Sequence, residues 1–307
     1  MKSSNIGGQA VIEGIMMKNG PEYAIAVRKP NGEIEVKKEE YKSAIKMEKL
    51  TKIPFVRGVF NFIDSLVLGM KTLTYSATFW EDEEEVVMTE EEAAKQKKKE
   101  DAFMAVTMVL SLVIAVGMFM VLPYFISNLF KDIIPSRFLR TVLEAVVRIT
   151  ILIVYILLIS KMKDIQRTFM YHGAEHKCIN CIESGLDLTV ENVRGSSKHH
   201  KRCGTSFLVF VVIVSVLVCF FITVESQWLR VLLRIALLPV IAGISYEIIK
   251  FAGSSTSPIV EILSKPGMAM QKLTTKEPDD DMIEVAICAV EEVFDWKTYQ
   301  KENFGEQ

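Results

Sequence analysis

Long apolar blocks alternate with charged ones along this chain. No charged residue interrupts Ala102–Phe130 or Gly204–Val224, and each run reaches the roughly 20 residues that cross a bilayer core. Two further apolar stretches, about 141–160 and 230–250, carry Glu144 and Arg148 in one and Arg234 and Glu247 in the other. A span accepts such groups when they face other helices rather than lipid. The pattern predicts an α-helical integral membrane protein with four transmembrane helices at about 102–127, 141–160, 205–224 and 230–250. Glu144 and Arg148 lie one turn apart, and Arg234 falls at similar depth in an antiparallel fourth span. Pairing Glu144 with either arginine would offset the cost of burying charge.

The preceding segment, residues 1–100, has a different period. Tyr23–Arg28 and Glu33–Lys37 alternate apolar and polar positions around Pro30-Asn31-Gly32, the signature of a β-hairpin. Phe55, Val59, Phe62, Ile63, Leu66, Met70 and Leu73 recur every three or four residues, predicting an amphipathic helix over 55–80 that lies on the membrane surface or on its own small α+β region. Glu81–Glu85 and Glu90–Glu92, followed by lysines, read as a solvated linker. Beyond the spans, residues 251–307 carry Gly253, Pro258, Pro266 and Gly267, which predict extended or turn-rich chain. A last helix follows, capped by Asp279 or Asp280, whose stripe of Ile283, Ala286, Ile287, Val290 and Phe294 docks on the N-terminal region.

Charge orients the spans. Lys95, Lys97, Lys98 and Lys99 precede the first, and eight Lys or Arg from Lys161 to Arg202 lie between the second and third, against Lys131, Arg137, Arg140 and Arg230 in the other loops. The positive-inside bias places both termini and loop 161–204 in the cytoplasm. With 307 residues, 50% of them hydrophobic, and a mean hydropathy of +0.26, the composition excludes a disordered chain. A net charge of −2 leaves no global cationic field for nucleic acid. Five cysteines in a chain of this length do not make a disulfide scaffold, and the first thirty residues lack the pattern of a signal peptide.

The four histidines all fall in loop 161–204: His172, His176, His199 and His200. His172-Gly173-Ala174-Glu175-His176 has the His-x-x-Glu-His order of inverted zinc peptidases, in which two imidazoles hold metal and the glutamate activates water. On a helix, the two histidines are about 40° apart and Glu175 lies about 60° to the other side of His172. A second cluster, Lys198-His199-His200-Lys201-Arg202-Cys203-Gly204, stands just before the third span. His200 and Cys203, three apart, complete a candidate four-ligand set. Cys178-Ile179-Asn180-Cys181 offers a rival thiol pair, but a continuous helix turns both sulfurs away from the imidazoles. Cys219 and Cys288 lie on apolar stripes, as core residues do. Glu247, where the fourth span returns to the cytoplasm, is a further candidate ligand, base or histidine partner, or an interfacial group paired with Lys250.

Gly7-Gly8-Gln9-Ala10-Val11-Ile12-Glu13-Gly14, Phe55-Val56-Arg57-Gly58, Tyr171-His172-Gly173-Ala174-Glu175-His176-Lys177, Arg202-Cys203-Gly204-Thr205 and Ser245-Tyr246-Glu247 together resemble the YqhQ-like family of bacterial membrane proteins. The resemblance implies placement in the bacterial inner membrane and a metal role for His172, His176 and His200. The family pattern has a histidine three positions before its cysteine, which selects His200 over His199 and leaves His199 as a neighbour of the ligands.

Three readings follow. In the first the chain is a metal-dependent enzyme, a hydrolase: His172, His176 and either His200 or Cys203 hold zinc, Glu175 serves as catalytic base, and a lipid or membrane-protein segment is the substrate. Iron, cobalt or nickel fit the same ligands. In the second a closed His/Cys site ties helices together in a scaffold for membrane-protein assembly or transport. A transporter proper would rest on Glu144, Arg148 and Arg234. Four spans without inverted repeats would then need a homo-oligomer to form a pathway.

Overall fold

A computed structural model describes residues 3–43, 53–80, 90–222, 224, 226–254 and 257–305. The protein is mostly helical with a small antiparallel sheet near its N-terminus, and it divides into two units that interleave along the chain.

The first unit gathers Met1–Trp80, Ile156–Val214 and Pro239–Gln307. Strands β1 (Gly7–Val11), β2 (Gly14–Asn19), β3 (Glu22–Arg28) and β4 (Ile34–Glu40) form an antiparallel meander in the order 1-2-3-4. The expected hairpin is β3–β4, with Arg28 opposite Ile34 and Gly32 in the left-handed region its turn requires. Side chains alternate across the sheet, and both faces are covered. Ile15, Met17, Ala24 and Ala26 enter the main core, shared with α5 (Lys163–Glu183) and α11 (Asp280–Val293). Val11, Met16, Tyr23, Ile25 and Val27 meet Leu68 of α1 (Val56–Ala77) on the other side.

Asp279 caps α11 by accepting the Met282 N–H at 2.9 Å. The helix buries Met282, Ile283, Val285, Ala286 and Val290 against the sheet and α5. Helix α1 buries small residues, Gly58, Gly69, Thr72 and Ser76, besides Leu68. Of its predicted apolar stripe, Phe55, Ile63, Leu66 and Leu73 remain exposed.

Chain read as extended or turn-rich after residue 250 is instead helical, as α10 (Pro258–Thr274). Pro258 stands at its start, where a missing N–H costs nothing, and packing overrides the break expected at Pro266-Gly267. A Cβ on Gly267 would stand 2.5 Å from Ser206 Oγ, so this glycine admits close contact with α7 (Gly204–Phe220).

The second unit comprises Glu81–Tyr155 and Ser215–Leu238. Its first helix, α2, runs Glu90–Val116, so Glu90–Glu92 belong to a helix and not to a linker. Ala, Lys, Gln and Glu are strong helix formers, and Gln96 hydrogen-bonds Glu100 one turn on at 3.0 Å. Residues 81–85, the rest of that linker, lie outside the described residues. A single π-helical turn, Gly117–Val121, leads into α3 (Leu122–Leu129), and α4 follows at Arg137–Ile159.

Lys98–Leu129 and Arg137–Ile159 are long and apolar enough to cross a membrane. The third expected stretch yields the 17-residue α7, and the fourth is broken at Leu237 into α8 (Gln227–Ala236) and α9 (Leu238–Ser254). Pro239 accounts for the break, because it lacks an N–H and its ring clashes with the preceding turn. Among the described residues, two helices, or three if the broken pair acts as one, have the length and composition of a span, with α7 as a shorter apolar helix beside them.

Candidate metal centre

Three segments distant in sequence build the site within the first unit. Helix α5 carries His172, Glu175 and His176 on one face, continues unbroken through Asn180, and is buried almost all round from Tyr171 to Glu183. Gly173 is why it can come so close to the chain after α10: a Cβ there would stand 2.0 Å from the Lys276 carbonyl oxygen. The same helix ties down the second cluster. Lys177 Nζ donates to the carbonyls of Arg194 and Ser196 at 2.8 and 2.9 Å, and Asn180 donates to those of Ser197 and His199 at 2.6 and 3.0 Å.

His172 Nδ1 lies 2.9 Å from the Thr274 carbonyl, and His176 Nδ1 lies 2.7 Å from the Lys198 carbonyl. A carbonyl only accepts, so both Nδ1 atoms carry the proton and both Nε2 atoms keep a free lone pair. This is the orientation that metal-binding imidazoles take from their outer partners. His172 Nε2 lies 3.2 Å from Cys203 Sγ, and the ligand atoms of His172, His176 and Cys203 all fall within 4.8 Å of one another.

His200 stands apart from this set. Its ring centre is 5.8 Å from that of His176, and its Nε2 lies 3.6 Å from Glu183. The cysteine, and not the histidine three residues before it, is thus the residue brought to the two imidazoles. Glu183 organises what surrounds His200. It accepts from the Ser4 N–H at 2.7 Å and from Arg202, while Gln271 brackets the His200 backbone, accepting its N–H at 2.9 Å and donating to its carbonyl at 2.8 Å. Burial alone would raise the Glu183 carboxyl, but His200, the Ser4 N–H and Arg202 outweigh it and hold the group at about 2.

Glu175 is buried and lines the cleft beside the histidines. Burial pushes its carboxyl up, against the pull of His172 and of the Gly8 N–H. Gly8 itself has no room for a side chain: a Cβ would meet Met17 Sδ at 2.6 Å and Glu175 Cδ at 3.1 Å. Burial also pushes the His176 imidazolium down, which favours the neutral, metal-binding ring. The cluster opens onto a cleft of about 770 Å³, whose walls include Lys18, Asn61, Asp64 and Arg202.

The remaining candidates lie elsewhere. Glu247 forms a two-pronged ion pair with Arg57 at 2.5 and 2.7 Å and accepts the Phe55 N–H at 3.2 Å. It is neither a partner of the histidines nor paired with Lys250 as the sequence suggested; it clamps α1 to α9, where Gly58 packs on Tyr246. His199 is held by its backbone and sits outside the ligand group. Glu144, Arg148 and Arg234 come together in the second unit, with Arg234 Nη2 at 2.9 Å and Arg148 Nη2 at 2.7 Å from the carboxylate.

Cys178 and Cys181 are fully buried in the main core. Burial pushes the Cys181 thiol up to about 11 and that of Cys178 well above its ordinary value. Because the thiolate is the reactive form, iodoacetamide at pH 8 is expected to leave both unmodified in the folded protein and to label them after denaturation. Peptide mass mapping checks this, and rapid labelling of the folded chain at either position would contradict the buried placement.

Sequence reading missed Glu183, Gly8, Gln271 and the two carbonyls that orient the imidazoles. Carbonyls leave no trace in a sequence, and Glu183 sits among the polar residues of an ordinary helix end.

The sequence matches the family described as "Protein of unknown function (DUF1385)" over residues 53–296. It is 36% identical over 303 residues to "Uncharacterized protein YqhQ" of Bacillus subtilis (strain 168), covering 97% of this chain and 94% of that relative. No solved structure matches the chain. A match across most of the chain makes this chain a member of the DUF1385 family, and it is similar to YqhQ over nearly its whole length.

Proposed function

We propose that the protein is a metal-dependent hydrolase working at the cytoplasmic face of the bacterial inner membrane. The observation that carries this reading is the convergence of two imidazole Nε2 lone pairs, each fixed by a carbonyl on its Nδ1, with the Cys203 sulfur at the wall of an open cleft. Two imidazoles and a thiolate suit zinc, and iron, cobalt or nickel accept the same donors. Three protein ligands facing a cleft leave a position for water or substrate, as catalytic sites do and closed structural sites do not.

A divalent ion supplies Lewis acidity at such a site: it polarises a substrate carbonyl or phosphoryl oxygen and acidifies water. The chain's own residues do the rest. His172 and His176 hold their Nε2 atoms in place through the Thr274 and Lys198 carbonyls. Glu175, with its proton affinity raised by burial, takes a proton from attacking water and returns it to the leaving group. Lys18 and Arg202 on the cleft wall orient an anionic or strongly polar part of the substrate.

The four-span arrangement with cytoplasmic termini belongs to this proposal. It is supported by the two long apolar helices, the shorter α7, the broken α8–α9 pair and the positive-inside bias. The exposed apolar face of α1 suits contact with the bilayer surface, which would bring a lipid or a membrane-protein segment to the cleft.

Elemental mass spectrometry of the detergent-purified protein tests the reading. The parent is expected to hold about one equivalent of a single transition metal, lost in His172→Ala and Cys203→Ala and kept in Glu175→Gln and His200→Ala. Loss in His200→Ala as well would mean a closed four-ligand site and favour the scaffold. A parent that stays metal-free when purified without chelator and offered zinc removes the hydrolase.

A further inference from the structure

In the second unit the ends of α3 and α7 and the beginnings of α4 and α8 surround a small half-open pocket. Its charge does not balance. Arg148 and Arg234, both buried, share the single carboxylate of Glu144. Arg137, Arg140 and Arg230 also line the pocket, yet among the described residues their hydrogen bonds go only to backbone carbonyls and none meets a carboxylate: Arg137 to that of Ile222, Arg140 to those of Lys131 and Ile134, and Arg230 to that of Val224. Five guanidinium groups thus cluster around one carboxylate. Positive charge gathered at a partly buried site is costly unless an anion joins it.

A second observation points to where that anion sits. Tyr124 is 3% exposed and lines the same pocket, and its hydroxyl finds no hydrogen-bond partner among the described residues. Its ring is held by Arg234 and Arg230, whose guanidinium carbons lie 4.5 and 5.8 Å from the ring centre. A buried hydroxyl left unpaired costs free energy, whereas one aimed at a bound oxyanion does not. The pocket's volume of about 30 Å³ takes the anionic oxygens of a group seated at its mouth, with the remainder outside.

We propose that this pocket binds a phosphate group, held by Arg140, Arg230 and the Tyr124 hydroxyl. Planar guanidinium forks match phosphate oxygens, and charge-assisted hydrogen bonds are the strong ones. The surroundings suit the headgroup of a phospholipid: Leu129, Ile133, Phe221 and Trp228, all strongly exposed, stand at the same helix ends. Aromatic and apolar side chains of that kind occupy the level where headgroups meet acyl chains.

The test uses the full chain, purified and delipidated in mild detergent, with its unfolding midpoint followed as probes are added. Phosphatidylglycerol and phosphatidylcholine are expected to raise the midpoint saturably, and diacylglycerol, which lacks the phosphate, is not. Arg140→Gln and Arg230→Gln should each weaken the apparent affinity about tenfold. Tyr124→Phe should weaken it about threefold while leaving the lipid-free midpoint unchanged or higher, since it removes only the orphaned hydroxyl. If inorganic phosphate gives the same saturable shift with the same losses, the site stands and its ligand is the free ion. Equal stabilisation by diacylglycerol, or unchanged affinity in Tyr124→Phe, overturns the proposal. Tyr124→Phe alone decides if the arginine variants do not fold.

Discussion

Gly173→Ala is expected to destabilise the protein by about 3 kcal/mol and to empty the proposed metal centre. The sign is informative. In an ordinary helix interior, alanine in place of glycine is favourable by up to about 1 kcal/mol. Here the new methyl group would stand 2.0 Å from the Lys276 carbonyl oxygen, a backbone atom whose neighbours are fixed. Lys276 donates its N–H to the Phe169 carbonyl at 2.9 Å, and Thr274, two residues earlier, supplies the carbonyl that orients His172. Relief of the clash must therefore move α5 or the segment that aims the imidazole, and overpacking of this kind costs about 1–3 kcal/mol. Thermal unfolding in detergent together with elemental analysis checks both halves, and a more stable, fully metallated variant would refute the close approach.

Glu183 should make the fold acid-labile over a defined window. Its carboxyl titrates at about 2 in the folded chain against an ordinary value of 4.5. The unfolded chain therefore binds the proton first as pH falls, and the stabilisation is complete above pH 4.5 and lost progressively down to about pH 2. Integrated over that interval it amounts to about 3 kcal/mol. Glu183→Gln should lose this contribution at neutral pH, leaving Arg202 without its counter-charge, and should lie much closer to the parent at pH 2.5. Unfolding midpoints of parent and variant between pH 7 and pH 2.5 measure the convergence. Parallel curves would mean that the carboxylate is not the group the loop is built around.

What could be read in the sequence was whatever leaves a periodic or spaced trace. The β3–β4 hairpin followed from alternation around Pro30-Asn31-Gly32, the α11 cap from Asp279, and the shared face of His172, Glu175 and His176 from helical geometry. Tertiary contacts decided the rest. Gly267 packs against Ser206, so a segment rich in helix breakers is helical. Pro239 breaks a stretch that hydropathy alone reads as one span. At the site, spacing left His200 and Cys203 equally placed to be the third ligand. What separates them is Glu183, which engages His200 from the C-terminal end of α5, the helix that carries the imidazoles, and leaves the Cys203 sulfur beside them. Arg57 likewise withdraws Glu247, a pairing across 190 residues that no local pattern announces.

The interleaving of the first unit has a consequence for synthesis. β2 and β3, complete by Arg28, bury one face against α11, which begins at Asp280. While some 250 intervening residues are being made, that face lacks its α11 cover and has only α5 to pack on once residue 183 is reached. At translation rates of about 5–20 residues per second the wait is tens of seconds, long enough for the apolar helices to partition before the sheet can close. A nascent chain arrested short of α11 should accordingly be protease-sensitive at residues 14–28, whereas release of the last helices should protect them.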